Sequence, residues 1–211
     1  MRNFLPLRQP LIYLITKGEL TDANFVANQN QTLQTIKIAV QNKIPLVQIR
    51  EKQLSARLLF KLTAEIVAIA EKSKTKVLVN DRADIALAAN AHGVHLTEKS
   101  LSATIIRANF PADFIIGVSA HSLEKVLEAK NQQADFAVFS SIFATPNKGE
   151  PRGLKVLQTI CEAAKPFPII GLGGINETNY QSVIKVSNGL AAIRFLNETE
   201  NLRKLGEEFY R

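Results

Sequence analysis

The chain has 211 residues, a length that favours a single domain. Hydrophobic residues make up 46% and charged residues 21%, which argues against intrinsic disorder. The formal net charge of +7 suits anionic partners, but no run of five basic residues occurs, so we expect no nucleic-acid partner. The single cysteine, Cys161, excludes an intrachain disulfide and a multi-cysteine zinc site. Attraction of small anions such as phosphates stays open.

The first 18 residues do not resemble a targeting segment. Pro6 and Pro10 interrupt them, no small-residue cleavage site follows, and no apolar run approaches about 20 residues. We therefore expect a cytoplasmic enzyme without a membrane partner.

Short β-branched runs alternate with helical patterns along the chain. The predicted strands are 11–16, 46–50, 76–80, 93–96, 114–119, 136–140, 168–172 and 189–195. Apolar residues at i, i+3, i+4 and i+7 predict helices over 31–42, 55–73, 83–90, 122–131, 154–164, 176–187 and 201–211. Ser55, Ser102 and Ser122 stand where helix N-caps are expected, and Cys161 falls on a buried helix surface. The polar stretch 22–31 is typical of a loop with its own turn.

Eight strands that alternate with about eight helices predict a parallel sheet covered by helices. The length fits one compact (β/α)₈ TIM barrel that spans residues 1–211 as a single domain. A doubly wound open sheet is the alternative.

Polar residues collect where the predicted strands end, which is where such barrels carry their chemistry. They are Gln48, Arg50, Glu51 and Lys52; Asn80, Asp81 and Arg82; Ser119 and His121; and the segments 143–153 and 171–174. An isolated polar residue at a strand end needs no function, because strand ends meet solvent. Several polar strand ends together predict a shared site.

Two segments are candidates for binding phosphate. Gly171, Gly173 and Gly174 precede Ile175-Asn176, which we expect to open a helix whose free N–H groups suit a phosphate. The alternative is a tight turn without a ligand. Lys148 lies in a loop rich in Pro and Gly and is suited to close over an anion, although the local sequence alone favours a solvated lysine.

His92, His95 and Glu98 recur every third residue, a spacing that on a helix forms a metal site. Residues 93–96 are predicted as a strand, however, on which residues 92 and 95 point to opposite sides. We therefore expect structural histidines here. Asp81 is the strand-end carboxylate best placed for Mg²⁺, which prefers oxygen ligands.

Six stretches taken together resemble the thiamin phosphate synthase/TenI family, and they run through nearly the whole chain. They are LIYLIT, VQIREK, VNDRADIALAANAHGVHL, IIGVSAHSLEKVLEA, ADFAVFSSIFATPNKG and PIIGLGGI. The resemblance implies a small (β/α)₈ barrel that binds hydroxyethylthiazole phosphate. It also implies one of two activities. The synthase joins hydroxymethylpyrimidine diphosphate to the thiazole phosphate with Mg²⁺, whereas the TenI branch isomerises a thiazole carboxylate phosphate without a metal.

The resemblance also implies residue roles. Gln48, Arg50 and Lys52 match the synthase motif that holds the diphosphate, and Asn80 and Asp81 match the diphosphate and first Mg²⁺ positions. Lys148 matches the loop lysine, Gly173 and Gly174 the thiazole phosphate loop, and His121 the acid/base of TenI-type tautomerases. Ser119 and Thr145 complete the expected substrate-binding set.

Several residues depart from the synthase pattern. Ser100 stands where synthases place the second Mg²⁺-binding aspartate, and Asn147 replaces the partner of Thr145. Lys17 stands where an aspartate is usual, and Arg194 occupies a phosphate-binding position usually held by a small serine, where it binds the phosphate or obstructs it.

Ser100 together with His121 favours a TenI-like tautomerase without a cofactor. The alternatives are a divergent Mg²⁺-dependent synthase and a non-catalytic ligand-binding homologue. In each case the expected partner is a small phosphorylated molecule, and the sequence is silent on whether the chain forms a homo-oligomer.

Overall fold

The computed structural model describes residues 9–146 and 149–211. Eight strands form a closed barrel in the order β1-β2-β3-β4-β5-β6-β7-β8, and helices alternate with them. The predicted (β/α)₈ barrel is therefore confirmed. The strands are β1 Leu11–Ile15, β2 Leu46–Ile49, β3 Lys76–Asn80, β4 Gly93–Leu96, β5 Ile115–Ala120, β6 Phe136–Ser140, β7 Ile169–Leu172 and β8 Gly189–Ala192.

The helices follow the strands in turn. They are α1 Phe25–Gln41, α2 Ala56–Ala70, α3 Ala83–Ala88, α4 Ala103–Asn109, α5 Leu123–Asn131, α6 Gly153–Ala164, α7 Tyr180–Val186, α8 Arg194–Asn197 and α9 Thr199–Phe209. Among the described residues, none of the helices is long and apolar enough to cross a membrane.

Contacts group the described chain into two compact units, and the prediction of one domain stays a prediction. The first unit comprises residues 9–12 and His95–Ala192, and the second comprises Tyr13–Val94 and Ile193–Arg211. In the first unit, β5, β6, β7 and β8 pair in parallel, and Phe136 and Phe139 are fully buried. In the second unit, β2 pairs in parallel with β1 and β3, and α1 packs against α2 and α9.

The eight predicted strands are present because their β-branched and aliphatic side chains are buried along almost their whole length. Ser102 and Ser122 cap α4 and α5 through their hydroxyls, as predicted, and they accept hydrogen bonds from the amides of Ile105 and Lys125. Ser55 occupies the N-cap position of α2 without a side-chain cap bond.

Three predicted element boundaries are wrong. Of the predicted loop over 22–31, only residues 22–24 form a turn, because α1 begins at Phe25 after Thr21 and Asn24 have exchanged side-chain and backbone hydrogen bonds. Ile175-Asn176 does not open a helix: residues 176–179 form a turn, and α7 begins at Tyr180. Strand β8 ends at Ala192, three residues before its predicted end.

Candidate functional site

The predicted diphosphate motif of the second unit separates into buried and accessible parts. Gln48 is 1% exposed, and its amide nitrogen donates to the hydroxyl of Tyr13 at 3.3 Å. Burial raises the pKa of Tyr13 far above its ordinary value, so this hydroxyl stays neutral. Arg50 is half-buried and Lys52 is exposed, which leaves these two cations accessible to an anion.

Asn80 and Asp81 form a joined pair at the end of β3. The Asn80 amide, 8% exposed, donates to Asp81 Oδ2 at 2.7 Å, and Asp81 is exposed. Asp81 has a φ of 58°, in the left-handed region that costs energy for a residue other than glycine. The Asp81 carboxylate is therefore attached to a strained backbone, and the hydrogen bond from Asn80 sets its orientation.

Arg194 lies on a helix and not on β8, which corrects its predicted position. It is the first residue of α8 and is exposed. Asn197, on the same short helix, donates from its side-chain amide to the carbonyl of Ile15 at 2.8 Å. This bond ties α8 to the end of β1 within the second unit.

His121 is half-buried directly after β5 and contacts the end of β6 in the first unit. Its Nδ1 lies 3.0 Å from the carbonyl oxygen of Ser140 and 3.3 Å from the Ser140 hydroxyl. A carbonyl oxygen only accepts hydrogen bonds, so Nδ1 carries the proton. In the neutral ring Nε2 is then the basic nitrogen, able to take a proton from a bound molecule.

Ser119 lies two residues before His121 and is paired with a buried histidine. Its hydroxyl lies 2.9 Å from Nε2 of His95, which is 3% exposed. Ser119 also lines a cavity of about 410 Å³ bounded by Leu96, Ser100, Lys125 and Gln132. The sequence singled out His95 only as a structural residue, and its pairing with Ser119 was missed because the two are 24 residues apart.

The segment after β6 packs tightly on the glycines after β7. The Thr145 hydroxyl lies 3.0 Å from that of Ser141 and donates to the carbonyl of Phe143. Gly173 and Gly174 have φ of 108° and 64°, and a Cβ on Gly173 would lie 2.4 Å from Ser141 Oγ. The close packing of the chain around Gly173 and Gly174 therefore requires glycine at both positions, whether or not a ligand binds there. Asn147 and Lys148 lie outside the described residues.

The residues expected to hold Mg²⁺ form an incomplete set. Ser100, predicted to stand at the position of the second synthase aspartate, accepts a hydrogen bond from the Thr97 amide at 2.7 Å through its hydroxyl, and Glu98 is exposed. His92 Nδ1 accepts from the amide of Val77 instead. Within residues 9–146 and 149–211, no three His, Cys, Asp or Glu side chains are clustered to hold a metal ion. Of the two predicted metal positions, Asp81 carries a carboxylate and Ser100 carries a hydroxyl.

The chain is a closed (β/α)₈ barrel with polar groups at the ends of its strands. This is the arrangement found in (β/α)₈-barrel enzymes. Residues 12–196 match the family model described as thiamine monophosphate synthase. The chain belongs to this family.

Relatives and a solved structure agree with the family. The chain is 35% identical to the thiamine-phosphate synthase of Clostridium tetani over 93% of this chain and 92% of the relative. It is 39% identical to the putative thiamine-phosphate synthase 2 of Aquifex aeolicus over 79% of this chain and 86% of the relative. The structure of the thiamine phosphate pyrophosphorylase from Pyrococcus furiosus superposes with a TM-score of 0.78 at 29% identity, covering 96% of this chain and 98% of that one.

Proposed function

We propose that this chain is a TenI-like thiazole tautomerase that acts on a thiazole carboxylate phosphate. The observation that carries the proposal is the geometry of His121, whose Nδ1–H donates to the carbonyl of Ser140. The reaction removes a proton from one carbon and returns it to another, so a single base that accepts and then donates the same proton suffices. His121 Nε2 is that base in the proposal.

The substrate phosphate is proposed to bind at the glycines after β7, in the first unit. Gly173 and Gly174 allow close backbone approach, and Thr145 and Ser119 offer hydroxyls. Lys148 and Arg194 are the proposed cations for the phosphate, by the family resemblance. By the family resemblance the tautomerase step needs no metal, and Asp81 is the residue that would hold Mg²⁺ under the synthase alternative.

The test follows conversion of the thiazole carboxylate phosphate tautomer by purified protein. We expect turnover without added Mg²⁺, and a decrease in kcat of roughly 100-fold or more for His121→Asn. His92→Gln is the matched control, because the ring of His92 accepts from the backbone of Val77 and is assigned no part in the reaction. Undiminished turnover by His121→Asn, or equal losses in both variants, contradicts the proposal.

A divergent thiamin phosphate synthase is the second candidate. The paired side chains of Asn80 and Asp81, the accessible Arg50 and Lys52, and the synthase names of the relatives favour it. Mg²⁺-dependent formation of thiamin phosphate from hydroxymethylpyrimidine diphosphate and thiazole phosphate would establish it.

Two outcomes separate the remaining alternatives. Loss of synthase turnover in Asp81→Asn, with tautomerase turnover unchanged, would show that one chain carries both activities through different residues. If neither assay shows turnover while thiazole phosphate raises the melting temperature, the chain is a binding protein.

A further inference from the structure

Glu51 is a buried carboxylate between two accessible cations, Arg50 and Lys52. It is 3% exposed, although glutamate is rarely buried without partners. Its Oε1 accepts a hydrogen bond from the amide of Gly18 at 3.0 Å, and its Oε2 accepts from the amide of Leu20 at 2.9 Å. Both oxygens are therefore committed to the segment after β1.

Further contacts fasten the same two segments together. Asp22 Oδ1 accepts from the amide of Ser55 at 2.7 Å, and Thr21 forms a parallel bridge with Gln53. The amide of Arg50 donates to the hydroxyl of Thr16 at 2.9 Å. Residues 16–22 and 50–55 are thus held together by several hydrogen bonds within the second unit. Glu51 is a buried residue among those that make these contacts.

Arg50 rests directly on the segment that Glu51 holds. Gly18 has a φ of 79°, and a Cβ on it would lie 3.1 Å from the Arg50 carbonyl oxygen and 3.2 Å from the guanidinium Nη1. The guanidinium therefore packs against the bare backbone of Gly18. Because Glu51 fixes the amide of Gly18, it also fixes the surface on which the guanidinium lies.

We propose that Glu51 is a positioning residue, which holds residues 17–20 so that the Arg50 guanidinium is already oriented for phosphate oxygens. The inference rests on the second candidate function, the synthase, since that candidate takes Arg50 as a diphosphate-binding residue. Glu51 acts through Arg50 and does not touch the substrate, because both its oxygens accept backbone hydrogen bonds. Preorganisation of this kind improves affinity by lowering the ordering cost of binding.

The test measures binding of inorganic pyrophosphate by calorimetry in Glu51→Gln. The glutamine keeps the volume of the side chain but replaces one acceptor with an N–H donor, which faces a backbone amide. We expect the Kd for pyrophosphate to rise about tenfold, the size of one charge-assisted contact.

A second readout follows the loop itself. Lys17 is exposed directly before Gly18, so trypsin reports on loosening of residues 17–20 by cleavage after Lys17. We expect several-fold faster cleavage there in Glu51→Gln than in the native protein, because cleavage follows local opening.

Asp135→Asn is the matched control. Asp135 is also a carboxylate with little exposure, 9% for its side chain, and it accepts from the backbone amide of Ile116, but it belongs to the first unit and is assigned no substrate contact. The Asp135→Asn variant should have a lower melting temperature, with an unchanged Kd for pyrophosphate and an unchanged rate of cleavage after Lys17. Equal changes in Kd for both variants would reduce Glu51 to a general stabiliser and overturn the inference.

Two further variants distinguish a wrong assignment of Arg50 from a wrong role for Glu51. Gly18→Ala places a methyl group against the Arg50 guanidinium, so it should weaken pyrophosphate binding. This variant tests the inference independently if Glu51→Gln does not fold. Arg50→Ala should weaken it at least as much as either variant. If Arg50→Ala binds normally, the assignment of Arg50 is wrong and the inference falls, while the tautomerase assay still decides the proposed function. If only Arg50→Ala weakens binding, the inference alone falls.

Discussion

Ser100 has a local structural role in the turn that follows β4. Its hydroxyl accepts from the Thr97 amide at 2.7 Å, and its own amide donates to the Thr97 carbonyl at 3.0 Å. The side chain therefore closes a tight turn after β4. An aspartate accepts the same backbone hydrogen bond through its carboxylate, so the turn itself is compatible with either residue.

We predict that Ser100→Asp folds normally and gains a response to Mg²⁺, because the substitution introduces the carboxylate that the family resemblance leads us to expect at this position. The measurement is the melting temperature with pyrophosphate, with and without Mg²⁺. Ser100→Ala serves as the control: it loses the bond from the Thr97 amide, should be destabilised by about 1 kcal/mol, and should gain no Mg²⁺ response. An Mg²⁺-insensitive Ser100→Asp would contradict the prediction.

At the residue scale, the sequence indicated which side chains stand at strand ends but not what they contact. Arg50 and His121 directly follow strands, and Asn80 is the last residue of β3, as expected. Glu51 received no role, because its neighbours are charged and only the folded chain shows that both its oxygens bind backbone amides. The signal was present all the same, since a glutamate beside two candidate phosphate-binding cations would repel the ligand unless it pointed away.

At the element scale, the strands were predictable because buried β-branched runs are hard to place elsewhere. Boundaries set by side-chain hydrogen bonds were not. Asn24 occupies the N-cap position of α1 without a side-chain cap bond, and its bonds with Thr21 close the turn that precedes the helix inside a polar stretch. Asn179 in turn accepts from the amide of Asn176 and donates to the carbonyl of Gly174, which delays α7. Polar side chains of this kind favour loops and caps equally.

The elements of the first unit are also joined by a buried ion pair that the sequence did not indicate. Arg107 of α4 contacts Asp135 at 2.7 Å, and both side chains are 9% exposed. The same guanidinium donates to the carbonyls of Phe114 and Gln133. The pair therefore fastens α4 to the segments that precede β5 and β6.

We predict that Asp135→Asn lowers the free energy of unfolding by about 3 kcal/mol, because it leaves the buried Arg107 without a counter-charge. Asp84→Asn is the control, since the Arg82–Asp84 pair is exposed and should contribute less than about 1 kcal/mol. Urea unfolding of both variants measures the difference. Equal losses would show that burial does not set the strength of these pairs.

At the scale of the whole molecule, the charge balance and the candidate site favour the same kind of ligand. The formal net charge is +7, and Arg50, Lys52 and Arg194 remain accessible at or beyond strand ends. An excess of positive charge raises the local concentration of small anions near the protein, and salt screens this attraction. The charge therefore supports phosphate binding without specifying the reaction.

We predict that the Kd for inorganic pyrophosphate rises several-fold between about 20 and about 200 mM NaCl, because the Debye length shortens over this range. The control ligand is the hydroxyethylthiazole without its phosphate, whose weaker binding should hardly depend on salt. Calorimetric titrations of both ligands at matched ionic strength test the difference. Equal salt dependence for the charged and the neutral ligand would show that the positive charge acts on the stability of the protein, and not on the anion.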